Sequence, residues 1–143
     1  MILKMKSSDA DKRVQMKNTK ETLFSKGIQL FNNKQYYDAH EYWEELWLDY
    51  KLEYADFIQS LIQLSVSYFH YFNNNLKGAK SMINKSLLKI EKYDKLILNI
   101  DVQQLKEEMI NYRESLDKLE KQSIDKIYCL IIKRSNEKKD NYL

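Results

Sequence analysis

Tyr36-Tyr37-Asp38-Ala39-His40-Glu41-Tyr42-Trp43-Glu44-Glu45-Leu46-Trp47 is the stretch whose reading decides the fold. Tyr36, Ala39, Trp43, Leu46, Trp47 and then Tyr50 recur at i, i+3, i+4 and i+7, the spacing of a helix with one apolar stripe. Asp38, Glu41, Glu45 and Asp49 fall on the opposite face. A strand would alternate with a period of two, which this stretch does not. It predicts a helix over about residues 36–50.

The same reading extends outward in both directions. Before it, Thr19 is a candidate N-cap, and Leu23, Gly27, Leu30 and Phe31 predict a first helix over about 19–33, broken at Asn32-Asn33-Lys34-Gln35. Residues 1–17 are polar and charged and read as a flexible extension. After it, residues 54–73 are apolar nearly all round, which predicts a central helix with neighbours on several sides. Asn73-Asn74-Asn75 ends that helix and can cap a fourth, over about 75–92. Asp101, with Gln104 three residues on, opens a fifth in the manner of a capping box. A last short helix is expected near 123–134, before a charged tail at 135–143. The expected fold class is therefore all-α, a compact bundle of about five to six helices forming a single domain over 18–134.

A weak repeat supports a hairpin organisation. Phe31-Asn32-Asn33 recurs as Phe72-Asn73-Asn74 at an offset of 41, and Ala39 and Ala79 stand 40 apart. Gly27, Phe31, Tyr36 and Ala39 resemble the small-and-aromatic pattern of a tetratricopeptide unit. Two units are too few for a solenoid, so tetratricopeptide-like helix–turn–helix hairpins within a bundle are expected.

Composition excludes several chemistries. The 143 residues include two glycines and no proline. Gly27 and Gly78 are too far apart to build a dinucleotide-binding turn or a P-loop, and no GxSxG elbow exists. Both glycines fall inside predicted helices. With Ala79 they mark positions of close helix packing. One cysteine, Cys129, cannot form an intramolecular disulfide or a thiolate zinc cluster, and its apolar run reads as a small buried hydrophobe. No apolar run reaches ~20 residues, and no secretory signal is evident, so a soluble, cytoplasmic setting is expected.

Charge is unevenly distributed within a net +3. Residues 1–35 hold eight basic and three acidic groups, 36–56 hold one and seven, and 57–100 hold six and two. The acidic block is thus local and flanked by basic chain, which suits internal pairing or attraction of a cation. Only Arg13, Arg113 and Arg134 are arginines, few for base or phosphate recognition. That argues against nucleic acid, the basic N-terminal segment being the one candidate for RNA.

The chemistry candidates lie on the second helix. His40 and Glu44 are one turn apart, at the boundary of core and solvent, with Glu41 beside them. An i, i+4 His/carboxylate pair can bind a divalent metal or tune a general base. His-Glu-x-x-Glu lacks the second histidine of the zinc-protease motif, and two ligands fall short of the three that a catalytic zinc takes. On the third helix Asp56, Gln59, Gln63, Ser67 and His70 share an arc of about 80°. If that row faced the second helix, His40, Glu41, Glu44, Trp47, Gln59, Gln63 and His70 would form either a structural hydrogen-bond network or a binding site. Trp43 and Trp47 read as core, or else as the lining of a groove.

These residues resemble an uncharacterised family, domain of unknown function 309. Its pattern is a phenylalanine in the first helix, then Tyr-x-x-Ala-His-Glu-x-x-Glu-x-x-Trp, Leu-Ile-Gln-Leu and Asn-x-x-Gly-Ala. Here those are Phe31, Tyr36 or Tyr37, Ala39-His40-Glu41, Glu44, Trp47, Leu61-Ile62-Gln63-Leu64 and Asn75-Leu76-Lys77-Gly78-Ala79, covering about residues 24–90. The resemblance implies a small all-helical domain of bacteria, archaea or plastids, hence cytoplasm or plastid stroma. It implies signature residues His40, Glu41, Glu44, Trp47, Gln63, Gly78 and Ala79, and no activity.

Two functions lead on the residues, with RNA binding through the basic N-terminal segment a third, less favoured one. One is a non-enzymatic interaction or scaffold module that packs against a protein partner or another copy. The other is a metal-assisted hydrolase with His40, Glu41 and Glu44 as catalytic candidates and His40 and Glu44 as metal ligands. No cofactor beyond such a divalent metal is evident.

Overall fold

A computed structural model describes residues 9–121 and 126–135. Among these, five helices and one small hairpin follow in order: α1 (Asp9–Asn32), α2 (Tyr36–Asp49), α3 (Ala55–Phe72), α4 (Leu76–Ile90), β1 (Leu96–Ile97), β2 (Ile100–Asp101) and α5 (Val102–Glu120). Consecutive helices pack on one another, so α3 lies between α2 and α4, and α5 packs on α4. The all-α expectation holds.

Two boundaries differ from the sequence reading. α1 begins at Asp9 rather than near Thr19, so residues 9–17, read as an extension, are helical. No glycine or proline interrupts them, and Asp9 and Asp11 in the first turn favour the positive end of the helix dipole. Residues 1–8 lie outside the described residues. The last helix, expected near 123–134, is not formed over 126–135, which is irregular and extended. Residues 122–125, and the charged tail beyond Ser135, lie outside the described residues.

The two turns of the predicted repeat are alike in atomic detail. After α1, Lys34 N–H donates to Phe31 O at 2.9 Å and Gln35 N–H to Leu30 O at 2.8 Å. After α3, Asn74 N–H donates to Tyr71 O at 3.0 Å and Asn75 N–H to His70 O at 2.8 Å. Each is a Schellman closure with a left-handed residue at its centre, Lys34 at φ 63° and Asn74 at φ 61°. The equivalence runs at an offset of 40, matching Ala39 with Ala79. It places Phe31 against Tyr71, one residue away from the triplet alignment read in the sequence. Asn75 caps α4 by accepting from Gly78 N–H at 2.9 Å, and Asp101 caps α5 by accepting from Gln104 N–H at 3.1 Å.

Aromatic rings fill the core. Trp43, Phe24, Phe31, Phe57, Tyr68 and Tyr112 are fully buried. Tyr68 is stacked between Tyr36, with centroids 4.6 Å apart, and Tyr112, at 3.9 Å. Tyr36 stacks in turn on the exposed Phe72 at 5.8 Å. Hydroxyls join α3 to α4: Ser60 Oγ donates to Ser86 O at 3.1 Å, and Ser86 Oγ returns a bond to Ser60 O at 2.6 Å. These two buried hydroxyls are thereby paired without breaking the helices.

Candidate functional site

The residues singled out in the sequence separate into two places. His40, Glu41 and Glu44 lie on the outer side of the first turns of α2. His40 Nδ1 is 2.9 Å from Tyr37 O, and its Nε2 is 2.9 Å from Glu44 Oε2. The imidazole side chain is 19% exposed and the carboxylate 47%, so the pair sits at the edge of the core. Both partners are acceptors, so the ring fills both bonds when each nitrogen carries a proton. With Nε2 unprotonated, its lone pair and the carboxylate become two donors for a cation, the Tyr37 carbonyl fixing the ring as metal-bound histidines are usually fixed. Glu41 hydrogen-bonds with the Tyr37 hydroxyl instead and holds that phenol above its ordinary value. Among the described residues, no three His, Cys, Asp or Glu side chains come together as a metal-binding group.

The polar row of α3 does not face His40. Ser67 Oγ donates to Ala79 O at 2.6 Å on α4 and, with its proton so used, accepts from the Tyr112 hydroxyl at 2.7 Å on α5. His70 Nδ1 lies 3.2 Å from Asn75 Nδ2, in the turn between α3 and α4. Asp56 pairs with Lys92, which lowers its carboxyl below the ordinary value. The row therefore faces α4 and α5, and α2 meets the other side of α3. Ser67 and His70, grouped in the sequence with this row, thus meet α4, α5 and the α3–α4 turn: the helical period fixes which residues share a face, whereas packing chooses which neighbour that face meets. Gln59 is half-buried. Gln63 Oε1 is buried without a hydrogen-bond partner among the described residues.

The small residues sit against rings. A Cβ added at Gly27 would lie 2.1 Å from Trp43 Nε1, whose N–H donates to Phe24 O at 3.1 Å. A Cβ at Gly78 would meet Asn75 Nδ2 at 2.5 Å and His70 Cγ at 3.0 Å. Ala79 is fully buried. Trp47 is half-buried against the core, and so is Cys129, which lies in the extended segment rather than on a helix.

What the His40 region adds to these is an aromatic cleft that the periodicity did not single out. Tyr37 packs on the His40 ring at 5.2 Å and on Phe69 at 5.3 Å. Tyr37, Phe69 and Phe72, with Tyr36 behind them, border a cleft of about 230 Å³ rimmed by Lys34 and Asp38. Tyr37 is 49% exposed and Phe72 51%. Asp38, Glu41, Glu45 and Asp49 line the exposed face of α2 leading away from it. The signal in the sequence was the aromatic excess off the apolar stripe: Tyr37 and Phe72 are bulky rings that the core does not use.

No helix among the described residues is long and apolar enough to cross a membrane. No curated protein and no solved structure matches the chain. Residues 24–82, from the second half of α1 into α4, match the family described as Domain of unknown function (DUF309).

Proposed function

We propose that this domain is a non-enzymatic interaction module, and that it docks a protein segment presenting a bulky apolar side chain beside lysine or arginine. The observation that carries this reading is the exposed Tyr37–Phe72 cleft next to the acidic face of α2. Half-exposed aromatic rings in a concave site suit an interface anchor, and the flanking carboxylates suit a basic partner. Tyr37→Ala with Phe72→Ala is the test, because both side chains are about half exposed. Sedimentation velocity and cross-linked pull-down are expected to show a retained partner, or a self-associated species, with the parent protein. The double variant is expected to lose it at an unchanged Tm. A strictly monomeric parent with nothing retained, or equal retention by the variant, would overturn the reading.

A metal-assisted hydrolase is the second reading. It is favoured by the His40–Glu44 pair and its backbone-anchored imidazole. That pair supplies two of the three protein ligands that a catalytic zinc takes, and Glu41 is the remaining catalytic candidate. Metal analysis of the purified protein and of His40→Ala separates the readings. Metal in the parent and none in the variant supports the hydrolase. Equal stability with no metal in either sinks it.

A further inference from the structure

Beyond α5 the chain runs extended across α3 and α1, held by side chains that bond its main chain. Tyr68 Oη donates to Tyr128 O at 2.6 Å and accepts from Leu130 N–H at 3.0 Å. The Asn32 amide takes both groups of Ile132, donating to its carbonyl at 2.9 Å and accepting from its N–H at 2.8 Å. Ser115 Oγ accepts from Tyr128 N–H at 3.2 Å. At the far end Arg134 lies over the Phe24 ring at 4.8 Å, pairs with Glu21 and donates from Nε to Leu98 O at 2.8 Å. Ser135 N–H donates to Asn99 O at 2.7 Å.

These contacts have the form of peptide recognition: fixed polar groups hold the main chain, and sockets take alternate side chains. Leu130 and Ile132 are buried while Ile131 between them is 56% exposed. Tyr128, Leu130 and Ile132 turn their main-chain groups inward, so by the twofold alternation of extended chain those of Cys129, Ile131 and Lys133 face away. A cleft of about 210 Å³ runs between this segment and α5, bordered by Asp101, Gln104 and Glu108. The segment is thus anchored on one edge and open beside the other.

We propose that the groove across α1, α3 and α5 is a binding site for an extended peptide with the pattern apolar-x-apolar-x-Arg. Residues 128–134 are its internal occupant, and a matching segment of another protein exchanges with them. Main-chain bonding by Asn32, Tyr68 and Ser115 accepts any sequence. Selectivity comes from the two sockets and from the arginine, which meets both a ring and a carboxylate. Tyr36 stands between this groove and the Tyr37–Phe72 cleft, stacked on Tyr68 and on Phe72, but the peptide titration reads the groove alone and leaves that reading untouched.

Because a tethered segment competes at high effective concentration, the experiment weakens the occupant within the full chain. A labelled peptide spanning residues 127–135 is titrated by fluorescence anisotropy against the parent and against Ile132→Asp. The variant is expected to bind it about tenfold or more tightly than the parent, and a peptide carrying the same Ile132→Asp change is expected not to bind. A folded variant that ignores the parent-sequence peptide overturns the proposal. Should circular dichroism show that Ile132→Asp does not fold, amide exchange on the unaltered chain decides. Leu130 and Ile132 amides are expected to exchange roughly 100-fold faster than those of Leu61 and Leu64. Exchange of all four together, only through global unfolding, overturns exchangeability.

Discussion

At Gly27 the helix interior gives up about 1 kcal/mol of propensity relative to alanine, and the indole of Trp43 is the reason. A methyl group there would sit 2.1 Å from Nε1, against a ring that is fully buried and tied to Phe24 O. The indole cannot retreat without leaving its hydrogen bond and its neighbour Phe31, 6.0 Å away. Gly27→Ala is therefore expected to destabilise despite its better propensity, by about 2 kcal/mol or a Tm loss of roughly 5–10 °C. Thermal unfolding followed by circular dichroism checks it, and an unchanged Tm would contradict the packing argument. Glycine is scarce in this chain because it is kept for close approach. None of the left-handed residues among the described residues is glycine: they are Lys34, Asn74, Leu98 and Asn99.

Among elements, the two Schellman turns show where that economy costs stability. Lys34 is exposed and holds φ at 63°, a conformation costing roughly 1–2 kcal/mol for a residue with a Cβ. Lys34→Gly removes that strain but adds about 0.5–1 kcal/mol of unfolded-chain freedom, leaving a net gain of about 0.5–1 kcal/mol. A higher Tm than the parent is expected, and a lower one would show that the lysine side chain supports the turn. The same exchange at Leu98, in the β1–β2 turn, is a different case. Leu98 is 1% exposed, so it keeps its strained φ of 51° because its side chain is in the core. Burial of a leucine, worth about 1.5–3 kcal/mol, outweighs the strain.

For the whole molecule, the column of Tyr36, Tyr68 and Tyr112 sets the alkaline limit. Burial pushes all three phenols far above their ordinary value of 10.0. The folded state keeps these protons while the unfolded chain releases them above pH 10, so stability is intact below that pH and falls as pH rises through it. Each phenol contributes a slope of about 1.4 kcal/mol per pH unit. Tyrosinate absorbance and helicity measured together should show the buried phenols ionising only as the helices melt. Ionisation of all three near pH 10 with helicity intact would refute the account. Tyr68 also bonds Tyr128 and Leu130, so loss of this column at high pH is expected to release the extended segment as well.

The order of the helices and the caps Asn75 and Asp101 were legible in the sequence by itself, as was the edge position of His40 and Glu44. Each depends on local period or on a group within four residues, which the chain carries wherever it goes. The start of α1 at Asp9 is not legible there, because residues 9–17 carry no apolar stripe and only the lack of a helix breaker marks them. The tertiary structure decided the rest. It turned the Ser67 and His70 face toward α4, because buried hydroxyls there found Ala79 O and Tyr112. It drew residues 126–135 out of a helix-compatible pattern, because Asn32 and Tyr68, 100 and 62 positions from their partners Ile132 and Leu130, supply the bonds a helix would have made internally. It also left Tyr37 and Phe72 outside the core beside His40, making a cleft where the sequence showed only aromatic excess. Period and capping are properties of a segment, whereas partnership depends on which segments the packed core brings within a hydrogen bond of one another.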